Sequence, residues 1–156
     1  MKTKKLSSIR GVYYDPNRGL FLIKTIKSRG NWTTPGGKTC ICESHTNFLN
    51  RQTFEETGLT PTNIQMPQII PPYRYENHGT YENVRILVTV YVYAMNLNVP
   101  HAERLKGSCL DYAFKDFGEL TQESCPLSQT TRNIVSHQGF LKFLESFPQP
   151  QGMLVQ

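Results

Sequence analysis

A glycine pair that leads into a helix ending on two adjacent carboxylates constrains this chain more than any other stretch. Residues 32 to 59 read Trp32-Thr33-Thr34-Pro35-Gly36-Gly37-Lys38, then Glu43, then Arg51-Gln52-Thr53-Phe54-Glu55-Glu56-Thr57-Gly58-Leu59. Glycine is needed where backbone takes a positive φ or lies close against a ligand. Ser44 is the expected N-cap of a helix running to about Thr57, with Phe48, Leu49, Thr53 and Phe54 as its buried face. Gly58 is its left-handed stop, and Pro61 bars continuation. Gln52, Glu55 and Glu56 are three and four apart and are expected on one side of that helix. Two carboxylates at a helix C-terminus repel each other and oppose the helix dipole, so a cation is called for. Oxygen-only ligands suit a hard ion, Mg²⁺ or Mn²⁺, bridged to phosphate. A solvated, charged helix end, with Arg51 and Glu55 paired four apart, accounts for the same residues and stays open.

The totals narrow the class. At 156 residues with 38% hydrophobic and 19% charged residues, the chain is long enough to bury a real core. A single domain over 1–147 with a flexible tail at 148–156, rich in Pro, Gln and Gly, is expected. No apolar run reaches the roughly 18 residues of a membrane span, and the basic start from Met1 to Leu6 lacks a secretory apolar stretch. Four irregularly spaced cysteines do not read as a disulfide framework, so a reducing cytoplasm is expected. Charge is uneven: residues 1–40 carry nine Lys or Arg against one Asp, and the remainder eight against eleven acids. That suits an anionic substrate bridged to carboxylates, or equally a solvated basic tail. No basic run with interleaved aromatics marks a nucleic-acid surface.

The spacing predicts a hairpin of strands over Ser7–Tyr14 and Leu20–Ile26 around the Asp15-Pro16-Asn17-Arg18-Gly19 turn. A strand broken at Pro67 is expected over Thr62–Ile70, and a long aromatic loop or irregular strand over Pro71–Gly79. Asn83–Met95 is the clearest strand, apolar enough for both faces to be covered. A long loop follows over Asn96–Ser108, then a short strand over Leu110–Phe114. A final helix is expected over Leu127–Ser146, with Ile134, Val135, Phe140, Leu141 and Leu144 inward.

The spacing from Gly37 through Glu43 and Arg51 to Glu55-Glu56, Gly58 and Leu59, with the Trp32–Gly37 lead-in, resembles the signature of the Nudix hydrolase family. The resemblance implies an α/β/α sandwich with a mixed β-sheet. It implies hydrolysis of a diphosphate linkage in a nucleoside diphosphate derivative (a nucleotide, nucleotide sugar or dinucleotide) with Mg²⁺ or Mn²⁺. Glu55 and Glu56 match the family's metal-binding glutamates and Gly37 its backbone ligand. Arg51 matches an arginine that orients the glutamates, Glu43 a supporting acid, and Lys38 a phosphate-contacting lysine of some members. Such an enzyme activates a metal-bound water, whose proton goes to a carboxylate.

The sequence departs from the pattern at Gln52, where the family has the first Glu of its helix motif. A glutamine offers one neutral oxygen and cannot act as a base near pH 7. Thr53, Cys40, Cys42 and Phe48 also replace usual residues. Three accounts follow: a base outside the motif, with Glu103 first and Glu82 and Asp111 after it; a weak enzyme; or a silent domain that binds a nucleotide or a protein partner. Gln52, Glu55, Glu56 and Glu103 are thus the candidate catalytic residues. Lys24, Lys38 and Arg74 are candidate phosphate contacts, with Lys27 beside Lys24. Tyr73, Tyr75 and His78 share the loop with Arg74, where the tyrosines could stack a base or pack as core. Cys40, Cys42 and His45 offer soft zinc ligands without a fourth, and read better as loop substitutions. Trp32, Tyr91 and Tyr93 read as packing residues. Oligomeric state, a homodimer included, stays open.

Overall fold

The apolar run over 83–95 forms the central strand of a mixed sheet. In the computed structural model, which describes residues 2–39, 43–64, 68–78 and 83–147, it is β6 (Val84–Ala94). The elements before it are β1 (Lys2–Val12), β2 (Tyr14–Asp15), β3 (Gly19–Lys24), β4 (Gly36–Thr39), α1 (His45–Thr57) and β5 (Tyr73–His78). Those after it are β7 (Asp111–Lys115), α2 (Phe117–Leu120), α3 (Gln129–Val135) and α4 (Gln138–Glu145). One sheet has the order β4-β1-β6-β5, with β1 and β6 parallel over their whole length and the other pairs antiparallel. A smaller antiparallel sheet has the order β2-β3-β7.

Side-chain alternation along β6 builds the layers. Val88, Val90 and Val92 enter one core with Ile134, Val135 and Phe140 of α3 and α4. Tyr91 and Tyr93 turn to the other core, with Ile9 of β1 and Phe48 and Leu49 of α1. Helices therefore cover both sides of a mixed sheet, as the α/β/α expectation has it.

Several boundaries differ from the sequence reading. The expected hairpin shrinks to β2 against the start of β3, joined by the Phe21 N–H to Tyr13 carbonyl bond at 2.9 Å. β1 instead pairs with β4 and β6, because its apolar residues feed both main cores and the chain changes sheet at Tyr13. β3 stops at Lys24, and Ile26 stands in solvent at the turn closed by Ser28 N–H to the Thr25 carbonyl. Phe54 is 55% exposed, since the stripe through Leu49, Thr53 and Glu56 leaves it a third of a turn outside. The described part of 62–70 holds only an isolated bridge from Thr62 to Asn96, while 73–78 is a regular strand. The final helix is two helices, with Leu141 exposed. His137 breaks it by capping α4, its Nδ1 accepting the Gly139 N–H at 2.9 Å. The expected tail at 148–156 lies outside the described residues.

Candidate active site

Both ends of α1 are fixed. Ser44 caps its start, accepting the Asn47 N–H at 3.1 Å, and Gly58 closes its end with φ +75° and a 2.7 Å bond to the Phe54 carbonyl. The free carbonyls of the last turn are taken by the loop before β7: Ser108 N–H bonds the Glu55 carbonyl and Cys109 N–H that of Glu56, each at 2.9 Å. Gly107 allows this approach, since a Cβ there would lie 2.2 Å from the Glu56 carbonyl carbon. The backbone that carries Glu56 is thereby held in place.

Glu56 then organises the glycine turn. Gly36 has φ +137°, and a Cβ on it would lie 2.1 Å from the Ile9 carbonyl oxygen, so only glycine fits. Its N–H donates to Glu56 Oε1 at 2.9 Å. Gln52, one turn earlier on α1, rests against Gly37: a Cβ on Gly37 would be 3.5 Å from Gln52 Nε2. Gln52, Glu56, Gly36 and Gly37 form one wall of a cleft of about 320 Å³. Burial pushes the Glu56 carboxyl up to about 7, against the Gly36 N–H and the positive charge of Arg10 and Lys27, which favour the anion.

The other walls are cationic and polar. Arg10 enters from β1, Lys38 and Tyr75 from β4 and β5, and Lys27 and Ser28 from the turn after β3. Ser128 and Thr130 close the far side. That side is tied down by hydroxyls: Ser128 Oγ donates to Thr33 Oγ1 at 3.1 Å, and Thr131 Oγ1 accepts the Thr34 N–H at 3.1 Å.

This arrangement of layers recurs in solved structures. The E. coli ORF135 protein superposes with TM-score 0.65 at 15% identity, over 94% of this chain and 95% of its own. A MutT protein from Methanosarcina mazei Go1 gives 0.59 at 20% identity over 93% and 96%. A NUDIX hydrolase from Nitrosomonas europaea gives 0.55 at 15% identity over 99% and 97%. The chain has the Nudix fold. No family model matches the sequence, and no curated protein does.

On this Nudix fold the box residues divide. Gln52 and Glu56 face the cleft with Gly36 and Gly37. Glu55 points away, 55% exposed, and meets Arg51 at 3.5 Å, while Arg51 holds Glu43 at 2.6 Å. The expectation that Gln52, Glu55 and Glu56 share one side therefore holds for the first and last only. Lys38 lines the cleft and Lys24 does not: its ammonium lies over the Trp32 ring, 4.5 Å from the centroid. Arg74 is exposed on the face of β5 opposite Tyr73 and Tyr75, and is not among the cleft residues. Of those tyrosines, Tyr73 packs on the core and Tyr75 packs there while also reaching the cleft.

Glu103 and Asp111 line a separate cavity of about 560 Å³, and the Glu103 carbonyl accepts the Tyr112 hydroxyl at 2.5 Å. Glu82, Cys40 and Cys42 lie outside the described residues, as does the side chain of His78. His45 Nδ1 is 2.6 Å from the Tyr93 hydroxyl, and its ring packs on Tyr91.

The donors suit a hard ion in kind, and make a sparse set. Among the described residues no three His, Cys, Asp or Glu side chains converge. Glu56 has one oxygen not committed to Gly36, Gly37 is backbone next to it, and Glu55 is its chain neighbour with only a long contact to Arg51. Oxygen donors of this kind, with one or two carboxylates, fit Mg²⁺ or Mn²⁺ when substrate phosphate completes the shell. The residue that sequence reading missed is Arg10. Its one signal is a charge at an inward position of a strand, between Ile9 and Gly11.

Proposed function

We propose that this protein is a Nudix-type hydrolase that cleaves the diphosphate linkage of a nucleoside diphosphate derivative with a divalent metal. The observation that carries the reading is the cleft in which Glu56, Gln52 and the glycine turn face Arg10, Lys27 and Lys38. Mg²⁺ or Mn²⁺, held by Glu56 and Gly37, and by Glu55 once its side chain turns from Arg51 toward the cleft, would when bound neutralise diphosphate charge and supply an activated water. Arg10, Lys27 and Lys38 hold the phosphate oxygens. Gly36 fixes one oxygen of Glu56, so that the other is presented at a set place. Gln52 orients a water through its amide and cannot take its proton. With Glu103 in another cavity, Glu55 is the remaining acceptor for the proton, and it serves only once its side chain turns from Arg51 toward the cleft.

A second reading, a domain that binds the nucleotide and turns it over slowly or not at all, is favoured by Gln52. One panel separates them: dinucleoside polyphosphates, nucleotide sugars, ADP-ribose and nucleoside triphosphates with Mg²⁺ or Mn²⁺. Turnover that disappears in Glu56→Gln supports the hydrolase. Saturable binding without turnover supports the second reading, and a gain of turnover in Gln52→Glu would identify the glutamine as the lesion.

A further inference from the structure

Among the described residues the cleft carries Arg10, Lys27 and Lys38 against one carboxylate, Glu56. None of the three cations makes an ion pair among the described residues. Arg10 is the most constrained. Its Nη1 donates to the Thr34 carbonyl at 3.0 Å and its Nε to Ser8 Oγ at 3.4 Å, which leaves Nη2 uncommitted. Holding a guanidinium partly buried without a carboxylate partner is costly unless an anion completes it. Burial pulls its pKa below the usual arginine value, and the nearby Glu56 only partly offsets that. Gln52 moves the balance the same way, since an amide stands where a carboxylate would cancel one of these charges. Among the described residues the cleft is therefore net positive before any metal binds.

We infer that this cleft binds a diphosphate anion directly through Arg10, Lys27 and Lys38, and that no divalent ion is needed for binding. The inference rests on the proposed diphosphate ligand and concerns affinity alone; turnover is separate. A guanidinium with a free Nη2 offers directed, charge-assisted bonds to phosphate oxygens, and the two lysines add charge at the mouth.

The test is calorimetric titration of the full chain with inorganic pyrophosphate and with ADP, once in EDTA and once in Mg²⁺. Binding in EDTA is expected to match that in Mg²⁺ within about threefold, and Arg10→Gln to weaken it about tenfold or more, the scale of one charged hydrogen bond. Exposed Lys38→Gln, which cannot unfold the core, should weaken it by about threefold. Arg10→Lys should fall between wild type and Arg10→Gln, and Lys142→Gln on α4 should bind as wild type. Binding that appears only with Mg²⁺ overturns the inference and leaves the proposed function standing. Binding in neither condition removes both. Wild-type affinity in Arg10→Gln and Lys38→Gln also overturns the inference.

Discussion

Glu55 and Glu56 are neighbours in the chain and sit in different worlds. Glu56 is 9% exposed, bonded to Gly36, and faces cations across the cleft. Glu55 is in solvent, tied to Arg51 by a single long contact. Two consecutive helical residues are about 100° apart, and that rotation is enough to separate a residue that builds the loop from one that is free to move. Identical side chains thus acquire their roles from the wall each one meets.

The largest expected effect is on turnover. Glu56→Gln should lower kcat/KM by about 10²–10³-fold, whereas Arg51→Gln, whose ion pairs with Glu43 and Glu55 lie outside the cleft, should lower it less than about tenfold. Steady-state kinetics on whichever substrate the panel identifies checks both, and equal losses would erase the contrast. Next comes Gly36→Ala, which forces a Cβ against the Ile9 carbonyl and breaks the turn that Glu56 anchors. A loss of about 3 kcal/mol in urea unfolding is expected, against about 1 kcal/mol at Gly30, where a Cβ meets open space and only the φ of +84° opposes it.

The third effect is a pH dependence. The Glu56 carboxyl titrates at about 7 in the folded chain against an ordinary value of 4.5. The folded state therefore binds more protons between these values, and this group's contribution to stability falls as pH rises through them. Between pH 5 and 8 the loss from Glu56 is on the order of 2–3 kcal/mol, on the scale of 1.36 kcal/mol per pKa unit. In chelator, the stability of Glu56→Gln relative to wild type should rise by that amount over the same range. A constant difference would mean that Glu56 is not held in a desolvating site. The smallest effect belongs to Glu55→Gln, which should leave Tm within about 1 °C of wild type at every pH, because exposed ion pairs add little. A larger shift would bring Glu55 into the structural network of its neighbour.

Much of this frame was legible in the residues. The cap at Ser44, the stop at Gly58, the box spacing and the apolar strand over 83–95 are local, and local rules read them. Phe54 is not legible in this way, because an apolar residue beside a helical stripe looks like part of it until a partner layer shows where the stripe ends. The pairing of β1 is not legible either, because alternation does not say which strand it pairs with; β6 lies some eighty residues away. Glu103 lies in a loop whose path the residues do not state, and that loop puts it over another cavity.

The sequence by itself determined the helix, the glycine turn and the two carboxylates at its end, since each depends on spacing within a few residues. Only the tertiary structure decided that Glu56 and Gln52 face the cleft while Glu55 does not, and that Arg10 joins them from another strand. Those facts depend on which surfaces pack together, and packing brings together residues that the order of the chain keeps apart.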